Sequence, residues 1–150
     1  MRALLQRVTG ASVRVDGEVI GAIGPGSGLV VLLGVGHADD VATAEALARR
    51  VVELRIFADE AGRTNRSLLD VGGAVLVVSQ FTLYADTRRG RRPGFTDAAQ
   101  PDLAIPCYER FCGSIEELGV TVARGRFGAE MAVELVNDGP FTIWLETDDR

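Results

Sequence analysis

The sequence predicts an α+β protein in which helices cover one side of a curved mixed β-sheet or barrel-like core. Three observations support this. Short apolar, β-branched runs recur along the chain, broken by Gly, Pro, Asn and Asp. Helical spacing of apolar residues occurs in only two stretches, 41–54 and 101–118, far apart in sequence. Hydrophobic residues make up 47% of 150 residues, enough for a core without disulfide staples, so residues 1–150 are read as one domain.

The elements follow in order. Leu4 to Val15 alternate loosely and read as a strand. Asp16-Gly17 is a hairpin-type dipeptide, and Glu18 to Ile23 pairs back. Gly24 to Gly28 is a glycine-rich loop. No Gly-Lys-Ser/Thr follows it, and it precedes a strand, so it is not a phosphate cradle. Leu29 to Val35 and Val75 onward are continuous apolar runs, expected for strands buried on both faces. Between them, Asp39 or Asp40 caps a helix over 41–54. Arg55 to Ala58 is a short strand, and Thr64 to Asp70 a polar connection. After Tyr84 comes a basic loop containing Arg88, Arg89, Arg91, Arg92 and Pro93. Pro101 to Leu118 is the second helix, interrupted or started late at Pro106, with Ile105, Tyr108, Phe111, Cys112 and Ile115 on its apolar face. Val120 to Ala123 and Ala132 to Val136 are strands. Asn137-Asp138-Gly139-Pro140 is a turn, Phe141 to Leu145 a last strand, and the acidic tail after it a mobile end.

The composition excludes several chemistries. The net charge of −5 does not draw nucleic acid by its overall field. Every basic residue is arginine, so lysine Schiff bases and lysine general bases are absent. The one histidine, His37, reads as a loop residue before the helix cap, and histidine-built metal sites are excluded. Cys107 and Cys112 are too few for a disulfide framework and lack zinc spacing, so buried thiols are expected. The N-terminus starts like a signal peptide but meets Gln6 and Arg7 before an apolar region develops. No apolar stretch is long enough to cross a bilayer. The chain is therefore read as cytosolic.

Two stretches break these patterns. Val75 to Val78 runs into Ser79-Gln80-Phe81-Thr82, placing polar groups at the end of a buried strand. Unpaired, each would cost roughly 1–3 kcal/mol. They serve either a strand end bonded to nearby backbone or a site. The second stretch is Asn137 to Pro140. Taken together with Gln6-Arg7-Val8, Leu32 to Val35, Ser79 to Asp86, Arg92-Pro93 and Gly128-Ala129-Glu130-Met131, these motifs closely resemble the D-aminoacyl-tRNA deacylases over nearly the whole length.

The resemblance implies hydrolysis of the ester joining a D-amino acid, or glycine, to the 3′-terminal ribose of tRNA. It implies a homodimer in which each Gly139-Pro140, in cis, reaches into the partner's active site. Ser79, Gln80, Phe81 and Thr82 are then catalytic. Gly139, Pro140, Arg7, Phe127 and Met131 serve substrate binding and chiral selection. No metal or cofactor is implied. The chain departs from the family pattern at Phe141, where valine is usual, at Gly94 for serine, and at Thr64 for methionine.

A hydroxyl nucleophile needs a neighbouring base, and neither Ser79 nor Thr82 has one beside it in sequence. The expected chemistry is therefore electrostatic. Main-chain N–H groups near Gln80 and Phe81 hold the oxyanion, the ribose 2′-hydroxyl helps activate water, and Ser79 anchors the terminal nucleotide or the α-amino group. Carbonyls of Gly139 and Pro140 pressed against the α-carbon would exclude an L side chain and pass D residues and glycine. Arg88, Arg89, Arg91 and Arg92 suit tRNA phosphates, although a solvated loop would read the same. Two rival readings stand beside this one. One is a related editing deacylase with a trans Gly-Pro acting on L-alanyl-tRNA. The other is a non-catalytic RNA- or partner-binding module built on the arginine loop. Ser79 lies outside a Gly-x-Ser-x-Gly elbow, which argues against a conventional serine hydrolase.

Overall fold

In the computed structural model, residues 1–148 are described. The predicted fold class is the observed one: a mixed six-stranded sheet, curled nearly into a barrel, with its helices on one face. Strand β1 (Arg2–Val15) is its spine. It pairs antiparallel with β8 (Ala132–Glu146) along one edge. Its other edge is shared between β3 (Gly28–Gly34) in the first half and β2 (Glu18–Ile23) in the second. The β1–β2 connection is the expected hairpin, with φ of 50° at Asp16 and 79° at Gly17.

Burial along β1 shows how the sheet curls. Ala3 and Leu5 face the helix-covered core, whereas Val8, Ala11 and Val13 face the barrel interior. The switch of phase falls where β1 slips register against β8, between Gln6 and Val8 and between Val8 and Gly10. A one-residue slip turns side chains to the opposite face, so one strand contributes to both cores.

β3 pairs parallel with β6 (Ala74–Ser79), and β6 parallel with β7 (Thr121–Arg124). Parallel pairs need crossovers. The first runs through α1 (Val41–Glu53), the two-stranded β4 (Phe57–Ala58) and β5 (Thr64–Arg66), and the short α2 (Leu68–Val71). The second is α3 (Pro101–Glu117). Both long helices cover the same face. β3 and β6 are buried on both sides as predicted: Leu29, Val31, Leu33, Val75 and Val77 meet the helices, and Val30, Leu76 and Val78 fill the barrel. Near-closure shows at Gly21, where a Cβ would stand 2.6 Å from the Arg124 carbonyl oxygen. Only glycine lets β2 and β7 approach so closely.

Asp40 is the α1 cap, its carboxylate accepting the Thr43 N–H at 2.7 Å. Both cysteines are buried, and burial pushes the Cys112 thiol up to about 11. Several expectations are corrected. The polar connection 64–70 contains β5 and the start of α2, which Ser67 and Asp70 close with a capping box. Pro106 does not interrupt α3. Its ring sits in the second turn, where the loss is one N–H bond near a helix start. Ile105 is 40% exposed and lies off the apolar face. Asn137–Pro140 is no turn between two strands. β8 is continuous by pairing: Asn137 opposes Val8 and Thr142 opposes Gln6, so five steps on β8 match two on β1 and three residues are extruded as a bulge. Just past β8, the Thr147 N–H donates to the Met1 carbonyl at 3.0 Å. The end of the acidic tail, residues 149–150, lies outside the described residues. No helix is long and apolar enough to cross a membrane among the described residues.

Candidate active site

Ser79 is the last residue of β6 and pairs with Leu33. The Gln80 N–H donates to the Leu33 carbonyl at 2.8 Å, which carries the ladder one residue further. The chain then leaves the sheet as a 3₁₀ turn, Phe81–Tyr84. This corrects the extended reading of that stretch. Leu83 N–H donates to Gln80 O and Ala85 N–H to Thr82 O. The first N–H groups of any helical turn have no partner within it. Here those of Phe81 and Thr82 find no acceptor among the described residues. Leu33 therefore occupies the Gln80 donor, and the free donors at the start of the turn are those of Phe81 and Thr82.

The far end of the turn is fixed. Arg2 Nη1 donates to the Leu83 carbonyl at 3.0 Å, and its guanidinium lies 4.3 Å over the Tyr84 ring. The Tyr84 hydroxyl faces Asp39 at 3.4 Å, and burial raises its pKa well above the ordinary phenol value. The two free donors at the start of the turn are thus presented from a braced element.

Ser79, Gln80 and Phe81 line an open cavity of about 360 Å³. Leu33 from β3, Val35 just beyond it, Ala104 and Tyr108 from α3, and the 127–131 segment form its other walls. This is a largely apolar concavity with few polar groups, the usual character of a small-molecule site. Phe127 and Met131, to which the resemblance gives substrate binding, both lie in this wall. The Arg126 N–H points at the Met131 sulfur at 3.4 Å, which folds this segment on itself. Tyr108 was read only as core. Its hydroxyl donates to the Val77 carbonyl at 2.9 Å, the same oxygen that accepts the Gly125 N–H at 3.0 Å. Its ring meets Phe127 edge-on at 6.3 Å. A hydroxyl on an otherwise apolar helix face was the available signal. Glu130, quoted with its neighbours but given no role, is the carboxylate at the cavity's rim.

Thr82 is not part of that wall. It is exposed, and its hydroxyl accepts from Gln80 Nε2. The histidine also lies elsewhere: His37 Nε2 is 2.5 Å from the Thr96 carbonyl.

Arg7, Gly139 and Pro140 form a second group, outside the cavity wall of their own chain. The Gly139–Pro140 bond is cis. The bulge is tied at its base by Asn137, whose Nδ2 donates to Arg7 O at 2.9 Å and Phe141 O at 3.2 Å. Arg7 Nε lies 3.0 Å from the Asp138 carboxylate and 3.2 Å from its carbonyl, and Nη1 donates to Ile56 O at 2.6 Å. The guanidinium stacks 4.2 Å over the Phe141 ring. Phe141, the departure from the family pattern, is thereby part of the support under the bulge.

The arginines form a third group. Asp86 and Gly94 exchange two main-chain hydrogen bonds, at 2.8 and 2.9 Å, closing the loop between them. Arg88 grips Asp86 through Nε and Nη2, which holds that carboxyl down at about 2. Arg89, Arg91 and Arg92 are exposed and make no ion pair among the described residues.

The family model for D-Tyr-tRNA(Tyr) deacylase matches residues 4–146. The chain is 62% identical over 147 residues to a D-aminoacyl-tRNA deacylase of Roseiflexus castenholzii, covering 98% of this chain and 92% of that one. A D-aminoacyl-tRNA deacylase of a Ruegeria species is 58% identical over 150 residues, covering 100% and 95%. Among solved structures, one described as c-Myc DNA unwinding element binding protein superposes with a TM-score of 0.89 at 40% identity, over 97% of this chain and 98% of that one. Another, described as a probable eukaryotic D-amino acid tRNA deacylase, superposes with a TM-score of 0.81 at 17% identity, over 96% and 97%, and is alike in fold.

Proposed function

Since this chain belongs to the D-Tyr-tRNA(Tyr) deacylase family, we infer that it hydrolyses the ester of D-aminoacyl-tRNA, and of glycyl-tRNA, and spares L-aminoacyl esters. The observation that carries the mechanism is the pair of unpartnered N–H groups, Phe81 and Thr82, opening a braced turn beside the cavity. The terminal adenosine enters between Phe127, Met131 and Tyr108, with Ser79 as its polar anchor. Water adds to the ester carbonyl. The oxyanion that forms is held by the two main-chain donors, an effect worth roughly 2.7–4 kcal/mol per donor. The bond to the ribose 3′-oxygen then breaks, and that oxygen takes a proton relayed by the neighbouring 2′-hydroxyl. The side chain of Thr82 has no place in this sequence of events.

Selection by handedness belongs to the bulge. It is exposed and does not face the cavity of its own chain, and β8 has an unpaired edge with Val136 63% and Trp144 44% exposed. Long edges with exposed apolar residues call for a cover. In this reading the cover is a second copy, and each Gly139-Pro140 enters the partner's cavity. There the two carbonyls oppose an L side chain at the α-carbon and leave a D side chain free. The open ends of the arginine loop face tRNA phosphates.

Matched D- and L-aminoacyl-tRNA, followed for ester loss, test the activity. Release of the D ester with the L ester intact is expected. Turnover of L-alanyl-tRNA alone would support the trans Gly-Pro editing reading, and binding without turnover the non-catalytic one. In the same assay Thr82→Ala should retain kcat within about tenfold, because only its main-chain donor is used. A loss beyond about a thousandfold would make its hydroxyl the nucleophile.

A further inference from the structure

The second aromatic residue beside the catalytic turn has no part in the mechanism above. Phe95 is 36% exposed and meets Phe81 edge-on, with ring centroids 5.0 Å apart and planes at 75°. Phe81 is itself 57% exposed, so neither ring is core. Phe81 borders the cavity and Phe95 does not, so the pair runs outward from its mouth. Phe95 directly follows Gly94, one of the two residues that close the arginine loop. His37 holds the next carbonyl, that of Thr96, at 2.5 Å. The cavity and the two exposed rings thus lead to the base of the loop that carries Arg89, Arg91 and Arg92, which make no ion pair among the described residues, on a chain of net charge −5.

Aromatic faces alternating with arginine are the usual platform for unpaired nucleotides, whose bases stack while the phosphates meet the guanidinium groups. We propose that the Phe81–Phe95 pair and the Arg89–Arg92 segment bind the unpaired 3′ nucleotides of tRNA that precede the terminal adenosine. At least one of those bases stacks on Phe95, and their phosphates face Arg89, Arg91 and Arg92. The proposal rests on the reading of the cavity as the site of the terminal adenosine. It makes this track responsible for telling a whole tRNA from a bare aminoacyl nucleoside.

The test compares two substrates, D-aminoacyl-tRNA and the same D-amino acid esterified to adenosine alone. The readout is the ratio of their kcat/KM values. Phe95→Ala should lower that ratio about tenfold, the worth of one stacked base, through KM. Phe95→Tyr, which keeps a ring, should restore it. The preference for tRNA should also weaken with added salt, and less steeply when Arg89, Arg91 and Arg92 are all glutamine. A ratio unchanged in Phe95→Ala, or both substrates falling together, would overturn the proposal and leave Phe95 as a prop for Phe81. Failure of the unaltered protein on both substrates would instead refute the deacylase reading.

Discussion

Phe81→Pro is expected to lower kcat for D-aminoacyl-tRNA hydrolysis by about 10²–10³, the cost of one oxyanion donor. The substitution removes the Phe81 N–H, which no other group among the described residues uses. Proline suits the place. Residue 81 is the first of the 3₁₀ turn, where a missing N–H breaks no bond and a φ near −65° is already required. The residue before it, Gln80, lies outside the helical region with φ of −145° and ψ of 77°, so it avoids the conformation that a following proline disfavours. The ring is lost as well, so Phe81→Ala is the necessary partner. Alanine keeps the donor and loses the stacking with Phe95. The ratio of the two kcat values isolates the N–H, and unchanged thermal unfolding shows that the turn is still formed. If the two variants are equally active, the oxyanion is held elsewhere and the mechanism fails.

How far the sequence reached depended on how local the signal was. The paired burial of β3 and β6 was legible because four or more consecutive apolar residues leave no polar face. Asp16-Gly17 and Asp40 were legible because turns and caps are set within four residues. The bulge was not. Asn-Asp-Gly-Pro carries turn chemistry whichever way the chain runs on, and only the pairing partner decides whether it reverses direction. Here β1 lies opposite on both sides of it, which no local pattern encodes. The identity of the free donors has the same origin. That the Gln80 N–H is spent on Leu33 is a fact of strand register between segments more than 40 positions apart. Residue types for the cavity were found from resemblance, but Tyr108 was assigned to packing alone. Its hydroxyl bond to Val77 depends on how α3 crosses the sheet. In sequence Phe141 is only a departure from the family pattern, and its place under the bulge appears once Arg7 is seen stacked on it.

That stack makes Arg7→Ala the other change with a large expected effect. The side chain holds the bulge by four contacts: the Asp138 carboxylate and carbonyl, the Phe141 ring, and Ile56 across the crossover. Lysine cannot replace it, since a fork and a flat face are both used. Without them the two carbonyls of the bulge lose their fixed position. A misplacement of about 1 Å in a positioned group costs on the order of 10² in rate. The expected result is therefore a hundredfold loss of D-ester turnover with a narrowed D/L ratio, for Arg7→Ala and nearly as much for Arg7→Lys. Stability should fall by only about 1–3 kcal/mol, the cost of leaving Ile56 O without a donor. The pair of variants also decides which subunit the bulge serves. If Gly139-Pro140 acts across a two-fold interface, each site combines the Phe81 of one chain with the Arg7-held bulge of the other. Mixing Arg7→Ala with Phe81→Pro chains then rebuilds one intact site in every mixed dimer. About a quarter of the normal sites return from two nearly inactive parents. If the bulge serves its own chain, every site in the mixture carries one defect and no activity is recovered.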